Sequence, residues 1–158
     1  MGVKLHGGVG IGVVPKTPLI PNGRSTNELL VKIPATTLLH YGYQLGYPAA
    51  YAQEQDGQLI QNIVPVHKTE YEQISSSSKV ELALHTESAF HPYKPDYVLL
   101  LCLRGDPNAI TTYANVEDII ELLPLQVIET LKKPWYKTAI DDSFRVHGEL
   151  QQEFIIPI

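Results

Sequence analysis

Apolar and polar positions alternate along Val80-Glu81-Leu82-Ala83-Leu84, give way to a polar run, and return as the nearly unbroken apolar segment Tyr97-Val98-Leu99-Leu100-Leu101-Cys102-Leu103. Alternation with a period of two places one set of side chains on one face of a strand. A continuous apolar run of this length predicts a strand buried on both faces. Ile110 to Ala114 predicts a third strand, Gln58 to Val66 alternates like a fourth, and Phe154 to Ile158 is β-like at the end of the chain. Helical spacing is confined to three places. Pro34 to Leu45 predicts a helix that tolerates its proline in the first turn and ends at Gly46-Tyr47-Pro48, with Leu38, Leu39 and Tyr41 facing the core. Asn115 is placed to cap a second helix through Ile119 and Leu123, and Pro124 to Lys132 predicts a third. Ser75-Ser76-Ser77-Ser78 sits in a polar stretch and predicts a solvated loop.

Between the two clearest strands lies His85-Thr86-Glu87-Ser88-Ala89-Phe90-His91-Pro92-Tyr93. An imidazole and a carboxylate two residues apart leave a strand end on one face, and they are two members of the 2-His-1-carboxylate set that binds non-heme Fe(II). Spacing alone does not identify a site. Six His and 17 acidic residues in 158 positions produce roughly 0.6 such pairs by composition, and a second, His147-Gly148-Glu149, occurs.

Composition narrows the classes. A chain of 158 residues is long enough for one domain with a core, and no linker or repeat argues for a second. The net charge of −5 gives no footprint for nucleic acid or an anionic membrane surface. Cys102, the single cysteine, reads as a buried core residue and suits a reducing cytoplasm. No apolar stretch is long enough for a transmembrane helix, and the first residues lack the apolar centre of a secretory signal. Met1-Gly2 is followed by His6 where myristoylation requires Ser or Thr. The glycines of residues 7 to 12 match neither dinucleotide-binding nor P-loop spacing, and Pro15 stands where a helix should begin. His6, His40 and His67 have no acidic partner at a useful spacing, and Trp135 and Tyr136 read as packing residues over the sheet.

The segment Leu84 to Arg104 resembles the clavaminate synthase-like branch of the Fe(II)/2-oxoglutarate oxygenases, the group that contains asparagine and arginine β-hydroxylases. Gly46-Tyr47-Pro48, Tyr51 to Gly57, Leu59 to Val66, Thr111-Thr112 and the helical stretch after it fit the same family, so the resemblance covers roughly residues 9 to 158. It implies an α+β fold: part of a double-stranded β-helix (jelly-roll) with flanking helices, an incomplete barrel in which residues 1–158 form a single partial oxygenase domain carrying the first two metal ligands. It implies His85 and Glu87 as ligands of Fe(II), with 2-oxoglutarate and O2 as cosubstrates. Thr112 is the implied 2-oxoglutarate contact, with Thr111 as the register alternative. Glu54, Gln55, Ser75 and Ser76 are the implied contacts to a free amino acid or amino-acid-like substrate, whose ammonium and carboxylate such polar groups can hold. His91 belongs to the motif but is expected to cap or pack rather than bind metal.

Members of that family run to about twice this length, and their distal metal histidine and 2-oxoglutarate-binding arginine lie well over a hundred residues beyond the first histidine. Only 73 residues follow His85, and His147, the sole late histidine, lies on a polar segment. The expectation is an amino-acid hydroxylase whose site needs a second polypeptide to supply the distal His and Arg, with a homo-oligomer or a non-catalytic oligomeric remnant as alternatives. A zinc hydrolase using His85, Glu87 and His91 is weaker, because His85 and His91 are six apart across a turn rather than at the helical i, i+4 spacing of zinc proteases.

Overall fold

A computed structural model describes residues 3–14, 16–17, 31–54, 57–138 and 154–155. Its longest element is helix α1, Lys32–Leu45. Pro34 falls in the first turn, where the backbone N–H has no intrahelical acceptor to lose, so the helix begins two residues earlier than the proline suggests. Pro34 is buried, and Leu38, Leu39 and Tyr41 are half-buried. The helix closes with the Gly46 N–H donating to the Gly42 carbonyl at 3.1 Å. Beyond it Tyr47 precedes Pro48, a position biased against helix.

Helices α2, Val116–Leu122, and α3, Leu125–Leu131, follow one another across Pro124. The Asn115 side chain accepts from the Glu117 N–H at 3.3 Å, and Glu117 and Asp118 place negative charge at the positive end of α2. Leu123 turns out of the helix in an extended conformation, as a residue before proline should. Seven-residue helices are not stable alone; they need an apolar face buried elsewhere. Here Val116, Ile119, Ile120, Leu122, Leu125 and Val127 are all exposed, Leu122 to 84%.

The β content corrects the sequence expectation. Among the described residues the only ladder is β1, Lys137–Thr138, paired antiparallel with β2, Phe154–Ile155. Gln58–Val66, Val80–Leu84, Tyr97–Leu103 and Ile110–Ala114 form no strands. A strand exists by exchanging backbone hydrogen bonds with a neighbour, and among the described residues no two of these segments exchange one. Tyr97–Leu103 makes no backbone hydrogen bond at all among the described residues. Val80–Leu84 has one substitute for a partner, the Gln73 carboxamide, which donates to the Glu81 carbonyl and accepts from the Ala83 N–H, each at 2.9 Å.

Burial corrects the sequence reading in the same direction. Tyr97, Val98 and Leu100 are exposed to 54%, 53% and 73%, not buried on both faces. Cys102 is exposed rather than in a core. Trp135 covers no sheet; it is 67% exposed, with the Lys133 ammonium 4.4 Å above its ring. Val66 and Phe90 are the only large apolar side chains buried among the described residues. The chain exposes 13016 Å², whereas a folded monomer of its 17.6 kDa mass exposes about 7,900 Å².

Candidate metal centre

The two buried apolar residues mark the two best-organised regions, and both adjoin the predicted site. Phe90 anchors a tight turn after Glu87. Ser88 enters that turn at φ 46, a left-handed conformation uncommon for a residue with a side chain, and its carbonyl accepts from the His91 N–H at 2.8 Å. The turn reverses the chain directly behind the carboxylate.

His85 and Glu87 are brought together. His85 Nε2 stands 3.4 Å from Glu87 Oε1, and both side chains are about half exposed, at 50% and 56%. His85 Nδ1 lies 2.8 Å from the Ala83 carbonyl oxygen, which can only accept, so Nδ1 is the donor there and Nε2 is the nitrogen left on the carboxylate side. That is the arrangement of a metal-binding imidazole, with one nitrogen fixed by a carbonyl and the other free to ligate. Two cis ligands about 2.1 Å from one metal stand about 3 Å apart, close to the separation seen here. The residues therefore fit two positions of a facial metal site. No third His, Cys, Asp or Glu joins them among the described residues.

His91 caps the turn instead. Its Nδ1 accepts from the Tyr93 N–H at 3.0 Å, its ring lies 4.4 Å from that of Tyr51, and the Tyr51 hydroxyl donates to the Tyr93 carbonyl at 2.6 Å. Tyr51 thus ties the segment carrying Glu54 to the turn after Glu87; Glu54 is half-buried, its N–H donating to the Tyr51 carbonyl at 3.1 Å. Gln55 and His147 lie outside the described residues.

The serine loop is knotted rather than loose. The Glu70 carbonyl accepts from Ser77 Oγ, the Ser78 N–H and the Lys79 N–H at 3.0, 3.3 and 2.8 Å. Ser76 bonds the Thr69 hydroxyl at 2.9 Å, and its carbonyl accepts from the Val66 N–H at 3.0 Å, while Ser75 is exposed. Thr111 and Thr112 are both exposed. His67 does have an acidic partner, contrary to the reading from spacing: its Nδ1 lies 3.3 Å from Glu70 Oε2 one helical turn on, at a 90% exposed position.

Sequence reasoning missed Ala83, Gln73 and Tyr51. Ala83 acts through its backbone, and Gln73 and Tyr51 act across the fold, so none carries a local signal. His85 and Glu87 carried one in their spacing.

A chain presenting His85 and Glu87 in this way carries two of the three protein ligands of a 2-His-1-carboxylate metal site. No family model matches the sequence. Individual proteins do. An L-lysine 3-hydroxylase of Catenulispora acidiphila is 41% identical over 104 residues, which are 66% of this chain and 29% of that protein. An L-asparagine oxygenase of Streptomyces coelicolor is 37% identical over 137 residues, 85% of this chain and 40% of that one. A solved structure of asparagine oxygenase in complex with Fe(II), 2S,3S-3-hydroxyasparagine and succinate matches with a TM-score of 0.74 at 34% identity, over 90% of this chain and 43% of that one. The chain belongs to the asparagine/arginine hydroxylase branch of the Fe(II)/2-oxoglutarate oxygenases. It spans less than half the length of these relatives.

Proposed function

We propose that the chain is the metal-ligand-bearing part of an Fe(II)/2-oxoglutarate-dependent hydroxylase of a free amino acid. The observation that carries this reading is His85 Nε2 directed at Glu87 while Nδ1 is held by the Ala83 carbonyl. Iron bound there supplies the coupled chemistry in which 2-oxoglutarate and O2 become succinate, CO2 and one oxygen atom inserted into a substrate C–H bond.

The chain's own groups prepare that step. His85 and Glu87 would supply two protein ligands to the metal. Thr112, or Thr111 in the alternative register, donates a hydroxyl to 2-oxoglutarate. Glu54, Gln55, Ser75 and Ser76 would contact the substrate, whose ammonium and carboxylate such polar groups can hold. The third ligand and an arginine for the far carboxylate come from a complement that also pairs the open segments into a double-stranded β-helix. We assign that complement to a second polypeptide, with a second copy of this chain as the alternative. A lone, exposed Cys102 suits the reducing cytoplasm. No helix among the described residues is long and apolar enough to cross a membrane.

Calorimetric titration of the assembled protein with Mn(II), a redox-quiet substitute for iron, tests the reading. Binding should strengthen in the presence of 2-oxoglutarate and fall at least about a hundredfold in His85→Ala and Glu87→Ala. Equal binding by wild type and His85→Ala refutes the assignment.

A further inference from the structure

His85 is oriented by a bond to the backbone two residues before it, and that segment must itself be held. In a complete sheet the neighbouring strands hold it. On this side of Val80–Leu84 a side chain takes that place. Gln73 extends its carboxamide along the segment, with Nε2 donating to the Glu81 carbonyl and Oε1 accepting from the Ala83 N–H, both at 2.9 Å. Donor and acceptor thus meet the backbone two residues apart, as the N–H and C=O of a single residue do in a parallel strand pair. Ala83 is also the residue whose carbonyl holds His85 Nδ1 at 2.8 Å.

We infer that Gln73 is a positioning residue for the metal centre: its carboxamide clamps Glu81 and Ala83, and the clamped Ala83 sets the tautomer and aim of His85. This rests on the oxygenase reading only for what His85 then binds. The clamp has a rigid base. Gln73 lies between Glu70, whose carbonyl gathers three bonds from Ser77, Ser78 and Lys79, and Ser76, whose carbonyl and hydroxyl bond Val66 and Thr69. The loop expected to meet substrate and the segment leading to His85 are therefore joined through one carboxamide. Gln73 itself is exposed, so replacing it opens no buried space.

Three variants of the full chain test this: Gln73→Leu, which removes both bonds; Gln73→Glu, which keeps the acceptor for Ala83 and loses the donor to Glu81; and Gln61→Leu, an exposed glutamine outside the clamp, as control. Amide exchange at Ala83 should accelerate up to about tenfold in Gln73→Leu, less in Gln73→Glu, and not in the control. In nitrogen NMR at a pH where His85 is neutral, wild type should show the Nδ1–H tautomer and Gln73→Leu should gain the Nε2–H form. Co(II) affinity should fall about tenfold in Gln73→Leu. An unprotected Ala83 amide in wild type, or a tautomer ratio unmoved by Gln73→Leu, overturns the proposal. Exchange and tautomer are read without metal, so they stand apart from the oxygenase assignment. That assignment fails separately if Co(II) binding is indifferent to His85→Ala.

Discussion

His85 shows how much a single side chain can reveal once its neighbours are fixed. Two residues of spacing proposed that it shares a face with Glu87, and the 3.4 Å contact between them agrees with that spacing. Its tautomer was not written locally, because it depends on a backbone carbonyl and, behind that, on Gln73 across a loop. Phe90 makes the same point through burial. It is 8% exposed, one of the few buried apolar side chains among the described residues, and it lies in the turn behind the carboxylate. Phe90→Ala should cost about 3 kcal/mol locally. Its readout is faster exchange at the His91 amide, which donates to Ser88, together with weaker metal binding; unchanged exchange there would show that the turn holds itself.

At the scale of elements, the helices and the strands part company. Helices α1, α2 and α3 fall within a residue or two of the positions their prolines, glycine and cap imply, because a helix satisfies its backbone within itself. Asn115→Ala should weaken α2 by about 1 kcal/mol, read as roughly fivefold faster exchange at the Ile119 amide. The strand segments were legible as pattern but not as structure. Tyr97–Leu103 has the composition of a central strand, yet its pairing depends on residues elsewhere, and no periodicity states where those are. Its amides should exchange without protection in the isolated chain and become protected when the complement is added. Leu100→Lys, at a position now 73% exposed, should leave the isolated chain unchanged in circular dichroism but block that protection. Protection of Tyr97–Leu103 in the chain alone would mean that a partner already exists within it or in a second copy.

For the whole molecule the governing fact is surface. The chain exposes 13016 Å², about 5,100 Å² beyond what a folded monomer of its mass presents. Among the described residues, large apolar side chains are exposed on α2, α3 and the open segments. Such surface draws partners. Alone, the chain should bind an apolar dye and scatter light as an associated species rather than a compact monomer. A compact monodisperse monomer without dye binding would contradict the incompleteness on which the functional proposal depends. The family resemblance implied iron and succinate-forming chemistry, which the solved relative with Fe(II) and succinate bears out, whereas the jelly-roll sheet it implied is not seen among the described residues. The residues alone reached only the ligand pair and the strand pattern.

The most direct test is transfer of oxygen. The chain, alone and completed by a polypeptide segment that supplies the distal His and Arg, is incubated with Fe(II), 2-oxoglutarate, labelled O2 and a panel of free amino acids, and the products are read by mass spectrometry. The prediction is one labelled oxygen atom in a single hydroxylated amino acid, matched by succinate, with the completed protein only, and none from His85→Ala. Hydroxylation and succinate release by the chain alone, or equal product from His85→Ala, would contradict it.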